Sequence, residues 1–250
     1  MAGKNKTLRW MRLYVGGYDL SGDSRTFSSL DNFFDEADLT GWNEAVYNFL
    51  AGSPRHTGVR GYQALLNDTA SSGAHSLLKQ VAATPNTNRL SLLFGGGAAP
   101  AIADPAYIMA SAQMGDVRGL EGLSPILTCD FLPDAAQFTN VEENPFGVVL
   151  HPATSLSATT NGTSVNNGGS SANGGHANLH ITVTSGGTWA FKIQHSPNDS
   201  AWADLITFTA DGSAITSEQG NVSGTIDQYT RFVATRTSGT VTPICTLARN

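Results

Sequence analysis

The chain has 250 residues, 40% of them hydrophobic, enough to bury a sizeable core as one large or two small domains. Only 14% are charged, against about a quarter in ordinary soluble domains. The net charge of −6 and just 14 scattered basic residues exclude a protein that grips nucleic acid through rows of phosphate contacts. The low charge fits either a surface largely covered by neighbouring molecules or a neutral all-β extracellular or viral domain.

Lys4, Lys6, Arg9 and Arg12 open the chain as a solvated start. No apolar run of signal-peptide type follows, and no stretch reaches the roughly 18 apolar residues of a spanning helix, so neither secretion nor membrane insertion is expected. Residues 8–15 and 27–30 read as strands. Residues 43–50 suit a strand or a short turn of helix, and 59–66 a strand. The helix is expected over 73–83, where Leu77, Leu78 and Val81 share a face and Pro85 stops it. Residues 89–94, 106–113 and 126–132 predict further strands, the first two joined through Gly95–Gly97, Pro100 and Pro105.

Residues 154–173 are almost entirely Ser, Thr, Asn, Gly and Ala, without charge. Such a run buries too little apolar area to order itself and predicts a linker or long surface loop. It divides the chain into 1–150, a connecting 151–177, and 178–250. The domain boundary is then expected between Phe146 and Asn178, and deleting the part after it is expected to leave assembly intact. Beyond it, Leu179, Ile181 and Val183, then Trp189, Phe191 and Ile193, alternate with polar residues, and Gly186-Gly187, Pro197-Asn198-Asp199, Asp211-Gly212 and Ser238-Gly239 mark turns. That pattern predicts an antiparallel β-sandwich of six or more strands with Trp189, Phe191, Ile193, Phe208 and Phe232 in its core. The fold class is mainly β: a β-sandwich or barrel with one flanking helix, followed by a C-terminal antiparallel β-sandwich.

Four carboxylates, Asp31, Asp35, Glu36 and Asp38, fall within eight residues. The spacing and terminal Glu of a calcium loop are missing, and no general acid–base partner can be named. His176 and His180 lie four apart without the Glu of a zinc-protease helix, and on a strand they would stand about 13 Å apart. With His151 and His195 they read as surface histidines. Gly95–Gly97 lacks the Gly-Lys-Ser/Thr of a phosphate loop, and there is no G-x-S-x-G elbow. No catalytic, cofactor or metal-binding residue is assigned, and the chain reads as a non-enzyme. Cys129 and Cys245 sit among apolar residues and read as buried small hydrophobes, with a disulfide between them also open.

The segment Tyr14-Val-Gly-Gly-Tyr-Asp-Leu-Ser-Gly-Asp23, with Ser28-Ser-Leu30 after it, resembles the opening of major tail proteins of long-tailed bacteriophages. The resemblance continues at Leu50-Ala-Gly-Ser-Pro54, at Gly61-Tyr-Gln-Ala-Leu-Leu-Asn-Asp68 and between Gly224 and Arg249. It implies a tail-tube fold and a structural virion protein, made in the host cytoplasm. Its copies would form hexameric rings stacked into a tube, in contact with other tail proteins, through which phage DNA passes without specific binding. Residues 1–150 hold 15 acids and 10 bases, residues 151–250 only 5 and 4. The acidic first part would line the channel, with Asp31, Asp35, Glu36 and Asp38 as candidates and Asp116, Glu121, Asp130 and Asp134 as reserves; repelling phosphate lets DNA slide. Two alternatives remain open. One is a glycan-binding adhesin module of a tail fibre, using Trp189, Trp202 or Tyr229. The other is a trimeric capsid decoration protein.

Overall fold

The computed structural model describes residues 10–38, 49–69, 73–83, 88–121, 124–133 and 144–250. The element proposed for 43–50 and the basic residues Lys4, Lys6 and Arg9 lie almost wholly outside them. In chain order the elements are β1 (Met11–Val15), β2 (Tyr18–Asp19), β3 (Ser24–Thr26), β4 (Ser29–Asp38), β5 (Phe49–Leu65), α1 (Ala74–Ala83), β6 (Arg89–Phe94), β7 (Pro105–Glu121), β8 (Ser124–Pro133) and β9 (Phe146–His151). There follow β10 (Thr160–Asn161), β11 (Val165–Asn166), β12 (Gly175–Thr184), β13 (Trp189–Ser196), β14 (Ala203–Thr207), β15 (Thr216–Val222), β16 (Tyr229–Arg236) and β17 (Val241–Arg249). The protein is mainly β, and its helix falls where the Leu77, Leu78 and Val81 spacing placed it.

One sheet runs β15-β12-β17-β9-β7-β6-β1-β2. Strand β7 serves three partners: Ala106–Ala110 pair with β6, Pro105–Tyr107 pair with β9, and from Ser111 onward it pairs with β8. Through β8 the sheet continues to β5, which also carries β3 and β4. The main sheet curls into a nearly closed barrel, bringing β12 against β2, β6 and β7. At the seam Gly17, in the two-residue β1–β2 turn, abuts the Thr216 backbone; a Cβ there would lie 2.6 Å from the Thr216 carbonyl oxygen. Gly16 and Gly17 have φ of 61° and 90°, a primed hairpin turn that matches the strand twist. Only glycine meets both demands at position 17.

Because side chains alternate across a strand, each strand of the curled sheet feeds two cores. On β1, β6 and β7, Leu13, Leu90, Leu92, Tyr107 and Met109 point to a first core, shared with Val59, Tyr62 and Phe131 and with Leu77 and Leu78 of the helix. Tyr14, Leu93, Ala106 and Ile108 point the other way, into the barrel, where they meet Val149, Ile244 and Ala248. On β12 and β17, Leu179, Ile181, Cys245 and Leu247 face outward from the barrel onto a second sheet. That sheet runs β10-β16-β13-β14, with β11 beside β16. Strands buried on both faces read as nearly continuous apolar runs, as in residues 90–94 and 106–110. This double burial within the chain accounts for part of the low charge that composition alone left to neighbouring molecules.

The C-terminal sandwich holds the core expected of it: Trp189, Phe191, Ile193, Phe208 and Phe232 are all buried, and the Phe191 ring stacks on Phe232 and Trp189 at centroid distances of 6.0 and 6.2 Å. The Ser/Thr/Asn/Gly run differs from expectation. Expected as a linker or long surface loop, it is pinned to the sandwich by strand pairing. Thr160 and Asn161 pair with Ala234 and Val233, and Val165 and Asn166 with Thr230 and Tyr229. Its two large apolar residues, Leu156 and Val165, are buried in the sandwich core. The sheet also crosses the compositional boundary, since β17 pairs with β9 and β9 with β7.

The histidines need a second correction. Of the four named, His151, His176 and His180 are buried and His195 is partly exposed. On β12, His176, Asn178 and His180 alternate with Ala177, Leu179 and Ile181, so they look like a solvent face. They point instead into the barrel, where they meet strands β6 and β7. Asn178 Nδ2 donates to the Leu90 carbonyl at 2.9 Å, and His180 Nε2 lies 2.9 Å from Ser91 Oγ. Cys129 and Cys245 are free thiols in separate cores, which removes the disulfide alternative.

Candidate functional site

Two of the segments that carry the tail-protein resemblance meet in space. Asp23, which ends the Tyr14–Asp23 segment, sits beside Asn67, near the end of the Gly61–Asp68 segment. Asn67 Nδ2 donates to both Asp23 carboxylate oxygens at 3.2 and 3.1 Å, and the Leu65 amide donates to the Asp23 carbonyl at 2.9 Å. Ser24 Oγ lies 2.8 Å from the hydroxyl of Tyr62, whose pKa burial pushes up. The same Asp23 carboxylate accepts the Ala74 amide at 2.9 Å. Helix α1 has no acidic residue in its first turn, so its N-terminal cap comes from 51 residues earlier in the chain. Asp68 bonds His75 and Lys79 on the same helix, and the His75 bond holds its carboxyl below the ordinary range.

Asp23→Ala therefore removes a helix cap and strands the Asn67 amide. It is expected to cost about 2 kcal/mol, read as a lower denaturant midpoint with an unchanged slope. An unchanged midpoint would show that the junction contributes nothing to stability.

A second cluster ties the long strands together. Asp31 Oδ2 accepts Arg60 Nε at 2.9 Å, and Asp31 Oδ1 accepts the Ser29 hydroxyl at 2.8 Å. Arg60 reaches Asp130 on β8 at 3.5 Å, and Asp130 accepts the Gly61 amide at 2.7 Å. These bonds, the one to Asp31 foremost, raise the Arg60 pKa. Beneath them the buried Tyr107 hydroxyl donates to the Asp31 carbonyl and accepts the Gly58 amide, each at 2.8 Å. Strands β4, β5, β7 and β8 are thus joined by one polar network. Asp31, expected to line a channel, is buried and its carboxylate is held by Arg60.

Asp35, Glu36 and Asp38 lie on β4, with a bulge between Phe34 and Glu36; their side chains lie outside the described residues, as do those of Asp116 and Glu121, and the whole of Asp134. The sequence pattern placed no strand over this acidic stretch, because its carboxylates mask the alternation. A small pocket beside the junction is walled by Met11, Leu13, Phe27, Val59 and Leu92. Its hydroxyls are spent within the fold: Ser24 on Tyr62, and Ser21 on the Leu13 amide. Among the described residues no three His, Cys, Asp or Glu side chains converge as a metal site, and no helix is long and apolar enough to cross a membrane.

No protein-family model matches the chain, and no curated protein does. Among solved structures, one match is the crystal structure of SPP1 Dit (gp 19.1), described as a paradigm of the hub adsorption apparatus of phages infecting Gram-positive hosts. It covers 95% of this chain and 98% of that one, at 10% identity and a TM-score of 0.34. A likeness that low carries no argument about what this chain does.

Proposed function

We propose that the chain is a structural protein of a bacteriophage tail, a tail tube subunit whose copies form stacked rings, hexameric by the resemblance, around a channel for DNA. The observation that carries this reading is the junction at Asp23. Two segments that resemble tail proteins, separated by 37 residues of chain between Asp23 and Gly61, are held together by four hydrogen bonds between Asp23–Ser24 and Tyr62–Asn67. Residues that resemble one family for a common structural reason are expected to act as such a unit. In this reading the chain has no catalytic role, meets other tail proteins at the ends of the tube, and resides in the virion. The acidic lining falls to Asp35, Glu36 and Asp38 on β4, since the Asp31 carboxylate is occupied by Arg60.

Negative-stain microscopy of the concentrated protein, alone and with the tail initiator complex of its phage, tests the proposal. Tubes or six-fold rings are the expected result. Three-fold particles would point to a capsid decoration protein, and a monomer under every condition would overturn the tube. In assembled tails, Asp35→Lys with Glu36→Lys is expected to slow DNA ejection while leaving tube formation intact.

A further inference from the structure

All three Asn-Gly pairs of the chain, Asn161-Gly162, Asn167-Gly168 and Asn173-Gly174, fall within the uncharged run. Asn-Gly is the dipeptide most open to spontaneous deamidation, because glycine has no side chain to block its backbone nitrogen from the Asn side-chain carbonyl carbon. That nitrogen loses its proton to solvent and attacks Cγ. The Cγ–Nδ2 bond breaks, and Nδ2 leaves as ammonia with a proton from water. Water then opens the five-membered imide at either carbonyl, leaving aspartate or isoaspartate. The net reaction consumes a water, releases an ammonia and changes no oxidation state.

The three pairs are held differently. The Gly162 amide donates to the Phe232 carbonyl of β16, and the Gly174 amide to the Gly224 carbonyl after β15, each at 2.8 Å. Both glycines also lie against main chain. A Cβ on Gly162 would lie 2.8 Å from the Phe232 carbonyl oxygen, and one on Gly174 would overlap that of Val222. Gly168 is exposed, and among the described residues no non-neighbouring atom lies within 4 Å of where its Cβ would be. Its amide donates to a side chain, Oδ1 of the exposed Asn166, at 2.9 Å. This pair is restrained instead at the Asn167 carboxamide, whose Nδ2 donates to Thr230 Oγ1 at 3.0 Å and to the Gln228 carbonyl at 3.1 Å.

We propose that Asn167 is a spontaneous modification site of the folded chain, converted to aspartate or isoaspartate ahead of Asn161 and Asn173, with Thr230 and Gln228 as the latch that sets its rate. A nucleophile held by an exposed side chain is freed by a rotamer change. One held by main-chain bonds is freed only when the bonded segments separate, which costs more. Conversion has a structural consequence. An Asp side chain lacks the Nδ2 hydrogens, so it sets a carboxylate oxygen against the Gln228 carbonyl, two acceptors with no donor between them. The isoaspartate form also lengthens the backbone beside the Asn167 carbonyl, which accepts Arg249 Nη2 at 2.9 Å. Either product loosens β11, whose Val165 is buried in the sandwich core, from β16. The site belongs to the C-terminal sandwich and is independent of the tail-tube proposal.

Peptide mapping by mass spectrometry of the full chain, aged at mildly alkaline pH either native or in urea, tests it. In urea the three pairs are expected to convert at similar rates. In the native protein Asn167 is expected to convert at least threefold faster than Asn161 or Asn173. Asn166→Ala frees the Gly168 amide, and Thr230→Val frees the carboxamide. Each is expected to raise the Asn167 rate at least threefold and to leave the other two rates unchanged. Should Thr230→Val accelerate all three sites by unfolding, Asn166→Ala, at an exposed position, gives the reading. Fastest native conversion at Asn161 or Asn173, no native conversion over a period that exhausts the urea sample, or an Asn167 rate indifferent to the folded variants overturns the proposal. Asn167→Asp is expected to melt below the unmodified chain, and an unchanged melting temperature would overturn the loosening of β11.

Discussion

Acidification is expected to destabilise this protein well above the pH at which its carboxylates protonate. Burial lowers the His176 and His180 pKa values to about 4 and about 3, and the nearby Arg89 charge lowers His180 further. Burial also lowers that of His151. The unfolded chain protonates these rings near their ordinary value of about 6.5. Folded-state values below unfolded ones mean that the unfolded state binds more protons below pH 6.5. The stabilisation is therefore complete above that pH and is lost as pH falls from 6.5 toward 4 and 3. At about 1.4 kcal/mol per pKa unit, the two β12 rings are expected to remove on the order of 5 kcal/mol by pH 4, comparable with the whole stability of many domains. Thermal melts from pH 8 to pH 4 check this. A melting temperature flat between pH 7 and 4.5 would contradict it. His180→Gln, which does not protonate in this range, is expected to flatten the profile, although it repacks the barrel near Ser91 and Tyr14.

Removing residues 152–250 is expected to unfold what remains, the opposite of what composition predicts for a cut at the uncharged run. The cut deletes β17, the partner of β9, and takes Ile244 and Ala248 from the core that Tyr14, Leu93, Ile108 and Val149 share. It also exposes the Ser91 side of β6, which β12 covers through Asn178 and His180. Burial lost on that scale exceeds the few kcal/mol by which domains are stable. The measurement is amide dispersion in the NMR spectrum of residues 1–151. A dispersed, cooperatively melting spectrum would show that the first part folds alone. Ile244→Ala in the full chain is a milder probe, expected to cost about 2–5 kcal/mol.

Local patterns were sufficient for much of this fold. The helix at Ala74–Ala83 was legible from Leu77, Leu78 and Val81, strand β6 from its apolar run, and the sandwich core from the alternation around Phe191 and Phe232. In each case the signal lies within one element. The candidate site was less legible. The segments of the tail-protein resemblance could be quoted, but not that Asp23 would cap a helix 51 residues on, nor that Arg60 would hold Asp31. Leu156 and Val165, two apolar residues in a polar run, were the available sign that 154–173 is anchored.

By itself the sequence determined that the chain is mainly β, where its helix lies, which residues of the last hundred form an apolar core, and that rows of basic residues are absent. Only the tertiary structure decided what covers each strand. His176, Asn178 and His180 have the polar alternation of a solvent face, yet the curled sheet folds that face onto β6 and β7. Alternation is a local property that separates the two faces of a strand. Whether water or another strand lies against a face depends on partners far along the chain, and pairings such as Asn178 with Leu90 exist only once the sheet has closed.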